Sequence, residues 1–128
     1  MKPAVLTSFL LCPAALFFMS ACASTPSSEK GPDDTIAYYV AIESDEPGVR
    51  IEADNNYVGE TPCTLKVFGD KDGTFHNFGS YDYLIKATPK SSDKFVQYKK
   101  FRTGGWWTPE DRIPQKLFFD TRFQQPPQ

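Results

Sequence analysis

Disulfide bonds are the first thing this chain lacks the means to build. Its three cysteines are Cys12, Cys22 and Cys63. The first two fall in the N-terminal segment treated below, which leaves Cys63 without an intramolecular partner. The domain must therefore be held by an apolar core. An excess of one charge is also missing: 14 basic side chains face 16 acidic ones, with no block of like sign. That balance gives no footprint for nucleic acid or for an anionic lipid surface. The single histidine, His76, makes no zinc site, because zinc takes three or four ligands. No membrane-length apolar run is present. Ala4–Met19 is uncharged but falls short of the roughly 20 residues a spanning helix needs. Thr7, Ser8 and Pro13 interrupt it, and the proline would break a helix at its middle. No segment repeats its apolar residues at helical spacing, so a helical bundle is not expected.

What is present begins with a secretory address. Met1-Lys2-Pro3 is a positive start, Ala4–Met19 an apolar stretch, and Ser20-Ala21-Cys22 a small-residue cleavage site. Met19-Ser20-Ala21-Cys22 resembles a lipobox, the site cut by lipoprotein signal peptidase. The resemblance implies cleavage between Ala21 and Cys22, with diacylglyceryl on the Cys22 thiol and acylation of its new amine. Residues 1–21 are then a removed signal peptide. One acyl chain binds a bilayer only marginally and two or more bind stably, so the bilayer is the expected partner of Cys22. Ala23, where an aspartate would retain the protein at the inner membrane, resembles the outer-membrane sorting signal of Gram-negative lipoproteins. The expected location is thus the cell envelope, at the outer membrane.

Residues 22–34 are small, polar and rich in Pro and Gly. They read as a flexible tether with a reach of roughly 20 Å. From Thr35 the pattern changes to alternation, and aromatic residues become plentiful. Tyr38, Val40 and Ile42 share one face. So do Val49, Ile51 and Ala53, then Cys63, Leu65 and Val67, then Tyr81, Tyr83, Ile85 and Ala87. Phe95–Thr103 and Lys116–Phe123 complete the set. Each segment reads as a half-buried strand. Turn signals separate them at Asp45–Gly48, Asp54–Asn56, Gly59–Pro62, Gly69–Gly73 and Pro89–Asp93. The expectation is all-β: a small antiparallel β-sandwich over 35–123, followed by a disordered polar end, 124–128.

Pro47–Pro62 carries a more specific pattern. Pro47-Gly48 opens an alternating strand, Asp54-Asn55 stands at a turn, and Val58-Gly59 with Thr61-Pro62 closes it. Asp and Asn tolerate positive φ, so a tight hairpin is expected there. Gly59 is expected in a conformation closed to residues with a Cβ. This segment resembles the PEGA domain, a small β-sandwich family of surface and envelope proteins. The resemblance implies a PEGA-like sandwich with structural or carbohydrate-binding roles and no catalytic residues.

Candidate chemistry is sparse. Asp70-Lys71-Asp72-Gly73 begins like a calcium loop, but Phe75 and Tyr81 occupy the positions where an EF-hand needs glycine and glutamate. It reads as a turn. Cys63 is in phase with Leu65 and Val67, which predicts a small buried hydrophobe and not a thiol nucleophile paired with His76. Glu43, Asp45 and Glu46 read as a solvated turn. No catalytic set, metal site or cofactor is expected. Trp106-Trp107, between Gly104-Gly105 and Thr108-Pro109, is the strongest local feature. In a strand, one ring would enter the core and the other face solvent or a partner; alternatively, both would cover the open end of the sandwich. Exposed, they would dock on an envelope protein or stack on a glycan. The expected function is a non-enzymatic structural or interaction module, with carbohydrate or peptidoglycan binding as the alternative.

Overall fold

Alternation places the core. In β1 (Ile36–Ser44), Tyr38, Val40 and Ile42 are buried while Tyr39 and Ala41 are exposed. β2 (Arg50–Ala53) buries Ile51 and Ala53, and β3 (Asn56–Glu60) returns beside it. β4 (Cys63–Gly69) buries Leu65 and Val67; β5 (Asp82–Thr88) buries Ile85 and Ala87. β6 (Gln97–Arg102) and β7 (Lys116–Phe119) follow, the latter contributing Leu117 and Phe119. The computed structural model describes residues 26–127. The expected signal peptide, its expected Ala21–Cys22 cleavage site and Cys22, the expected point of lipid attachment, lie outside the described residues.

Two sheets face each other across these side chains. One has the order β4-β1-β7, the other β3-β2-β5-β6. The fold is a small all-β sandwich. It is not purely antiparallel, because β1 and β7 run parallel, with Ala41 opposite Lys116 and Ser44 opposite Phe119. The long connection between β6 and β7 frees the last strand from hairpin geometry, so it can enter beside β1 in the same direction.

The turn at Asp54-Asn55 has φ of 46° and 64°, the two consecutive positive values of a type I′ hairpin. It joins β2 to β3, pairing Ala53 with Asn56. Gly48 also has positive φ, 82°. Gly59 does not: it pairs with Ile51 beside a bulge at Val58, and a Cβ there would make only ordinary contact with Cys63. Its expected special conformation is corrected. Thr61 is buried at the corner where the chain leaves one sheet for the other. Its N–H donates to the Val49 carbonyl and its own carbonyl accepts from Gly48. Its hydroxyl accepts from the Val49 N–H at 3.1 Å and donates to the Glu46 carbonyl at 3.2 Å. The Thr61-Pro62 peptide is cis.

Both ends of the expected domain extend further than the sequence implies. Within the expected tether, 22–34, residues 27–34 are docked. Ser27 N–H donates to the Ala37 carbonyl, Ala37 N–H to Glu29, and Lys30 bridges Ile36. This segment covers the part of β1's edge that β7 leaves open. Glu29 adds a salt bridge to Lys66 at 2.8 Å. At the other end, Gln125 is docked rather than frayed. Its side-chain amide accepts from the Tyr98 N–H and donates to the Tyr98 carbonyl, each at 2.7 Å.

Asp45 needs its own correction. Its side chain is only 5% exposed, not solvated. It accepts from the Thr121 N–H and hydroxyl, both at 2.8 Å, and pairs with the Lys94 ammonium at 2.8 Å. Lys94 also reaches Glu46, and Glu43 pairs with Lys116.

Candidate functional site

β6 ends at Arg102, and the chain returns to the same place at Asp111. Arg102 donates to the Asp111 carboxylate through its backbone N–H (2.7 Å), Nη2 (2.6 Å) and Nε (3.1 Å). The Asp111 N–H answers to the Arg102 carbonyl at 2.9 Å. The Arg102 guanidinium and that backbone donor hold the Asp111 carboxyl below the usual carboxylate range. Residues 103–110 are therefore a loop clamped at its neck.

Each leg is stitched to the 70–82 segment. Thr103 is buried; its N–H donates to the Tyr81 carbonyl and its hydroxyl to the Ser80 carbonyl. Asn77 donates its side-chain amide to the Gly104 carbonyl at 2.7 Å. Gly104 has φ of 91°, which a residue with a Cβ would resist. On the descending leg, Phe75 N–H donates to the Asp111 carbonyl and Ile113 N–H to Gly73. Phe75 itself is a core residue, stacked on Phe101 at 4.9 Å and tilted against Tyr83 at 5.3 Å. The loop is thus braced by the sandwich interior.

The tip closes through the Gly105 N–H, which donates to the Thr108 carbonyl at 2.9 Å. Trp106 and Trp107 are the two residues between. They are 87% and 88% exposed, with ring centroids 6.3 Å apart and planes at 70°. The pair is not in a strand, so alternation does not split it between core and solvent, and it covers no end of the sandwich. Both expectations for its packing are corrected. Tyr81 is also exposed and lies over Gly105, its ring 3.0 Å from where a Cβ would stand. Two exposed tryptophans present on the order of 400 Å² of mostly apolar surface. That equals the largest apolar patch on a typical monomer, and such patches are often functional.

The other candidates sort differently. Cys63 opens β4, whereas His76 lies alongside its other end, where the chain has turned back to bridge Phe75 to Gly69, roughly 17 Å of strand away. They form no dyad. Burial pushes the Cys63 thiol up, and the side chain packs against the core. His76 Nδ1 lies 2.7 Å from Asp70, and its ring leans on Phe78. In the Asp70–Gly73 stretch, Asp72 accepts from the N–H and hydroxyl of Thr74, so its carboxylate closes a turn. A cavity of about 200 Å³ opens between Lys66, Phe75, His76 and Tyr83. Burial, with the Asp54 carboxylate adding to it, pushes the Tyr83 phenol up to about 12 and keeps it neutral.

Sequence reading singled out the tryptophans but not their supports. Asn77, Thr103 and the Arg102–Asp111 clamp carry no local signature, because each acts through a partner elsewhere in the chain. Comparison with family models, with curated proteins and with solved structures finds no match to this chain.

Proposed function

We infer that this protein is a lipid-anchored, non-enzymatic interaction module of the bacterial cell envelope, which docks through the Trp106–Trp107 loop. The observation that carries the reading is the loop itself: two tryptophans, each almost fully exposed, on a tip whose neck and legs are fixed. Rigid aromatic anchors give contact area at little entropic cost on binding. The lipobox-like Met19–Cys22 supports the anchor. The hairpin at Asp54-Asn55 fits the PEGA-like pattern of Pro47–Pro62, a family of envelope proteins without catalytic residues.

The alternative, a glycan ligand, rests on the same rings. Planes at 70° give a sugar one face at a time and no shared platform. The first reading is therefore preferred.

Crosslinking in intact cells tests it. The full-length protein is expected to capture an envelope component through the loop, and Trp106→Ala/Trp107→Ala to lose that capture while keeping its far-UV circular dichroism. Capture unchanged in the double variant would overturn the loop as the docking element. Retention of the parent on purified peptidoglycan, lost in the double variant, would replace this reading with the glycan one.

A further inference from the structure

We propose that the Trp106–Trp107 loop is a second membrane anchor, seating both rings at the headgroup level of the bilayer that holds Cys22. The proposal rests on the lipid-anchored reading above and names the surface the loop meets.

The leash is short. Four residues lead from Cys22 to Pro26, and they span at most about 14 Å fully extended. The chain beyond Pro26 adds no slack, because Ser27, Glu29 and Lys30 are bonded to β1. Pro26 is thus held close to the membrane surface. It lines a shallow hollow with Tyr38, Arg112 and Ile113. Arg112 and Ile113 continue the descending leg of the tryptophan loop, five residues after Trp107. The tip lies within about 17 Å of that hollow. The anchor therefore presents to the bilayer the side of the domain from which the loop springs.

The loop's chemistry fits that position. Tryptophan has an apolar body and a polar N–H, and it concentrates at membrane–water interfaces for that reason. The Arg102–Asp111 clamp and the Asn77–Gly104 bond lie at the neck, so the tip can enter the headgroup layer without breaking them. Rings at 70° offer area without one stacking plane, which suits a fluid surface.

The chain's two tryptophans are both in this loop, so tryptophan emission, excited selectively over tyrosine, reports on it alone. The mature acylated protein, beginning at Cys22, is reconstituted in phosphatidylethanolamine–phosphatidylglycerol vesicles. Its emission is expected to shift to the blue relative to Cys22→Ala protein in buffer. Aqueous iodide should quench it several-fold less, and lipids brominated near the headgroup should quench it more. Trp106→Phe and Trp107→Phe each leave one reporter, and both should respond. Emission as open to iodide as in buffer overturns the proposal. So does a blue shift that appears only on adding peptidoglycan or envelope proteins, which assigns the loop to them. The mass of the Cys22 peptide separates the two failures. Acylated protein with water-exposed tryptophans leaves the anchor standing and removes this inference; unacylated protein removes both.

Discussion

Asp45 shows how much one residue can depend on distant chain. Burial raises its pKa, but the Lys94 ammonium and the two Thr121 donors outweigh that and hold the carboxyl far below its ordinary range. Asp45→Ala leaves Lys94 its second partner, Glu46, but takes the shared acceptor from the Thr121 N–H and hydroxyl, and an unsatisfied buried donor costs about 1–3 kcal/mol. Asp45→Ala is expected to lose about 2 kcal/mol of unfolding free energy by denaturant titration. The linkage has a definite sign. Asp45 is depressed in the folded state, so its contribution is complete above the unfolded carboxylate pKa of about 4 and falls away as pH drops below it. The parent should lose stability on acidification below about pH 4 more steeply than Asp45→Ala. Equal slopes for the two proteins would contradict this. None of it is visible locally: Asp45-Glu46-Pro47-Gly48 has the composition of an exposed turn, and Thr121 lies 76 residues away.

At the scale of elements, the β2–β3 hairpin and the β6 edge make opposite points. The hairpin follows from its own residues, since Asp54 and Asn55 both take positive φ. A β-branched side chain resists that region by roughly 1–2 kcal/mol. Asn55→Val should lower stability by about that amount and Asn55→Gly should not, as thermal melts of the pair would show. The β6 edge is capped from elsewhere. Gln125 occupies both backbone groups of Tyr98, and Asp111 occupies both those of Arg102. Open edges template association with other chains. Gln125→Ala is therefore expected to increase concentration-dependent aggregation, measured by light scattering, with little change in stability. Aggregation equal to the parent's would mean that the cap is dispensable.

For the whole molecule, the core and the loop are mechanically one unit. Phe75 packs into the sandwich and its N–H grips Asp111, so the tryptophans are displayed by the same contacts that close the domain. Yet the tryptophans take no part in the core. Their emission in the Cys22→Ala protein should hardly change on unfolding in urea, while far-UV circular dichroism shows a cooperative transition. A large emission shift coinciding with that transition would place at least one ring inside. Among the described residues Cys63 is the one cysteine, so the sandwich is held by packing and hydrogen bonds.

Alternation and turn stereochemistry act over two to four residues, so the sequence by itself marked the strand segments, the Asp54-Asn55 turn and the inward faces of β1, β2, β4 and β5, except that Tyr81 lies outside β5 and is exposed. It also marked Trp106-Trp107 and Cys22 as the residues with the most to explain. Tertiary structure decided what depends on neighbours far apart in the chain. It set β7 parallel beside β1, buried Asp45 against Thr121, docked Ser27–Lys30 and Gln125 on exposed strand edges, and left both tryptophans in solvent. The physical reason is common to the first three. A backbone edge or a buried charge is satisfied by whichever group the fold brings to it, and spacing along the chain does not name that group.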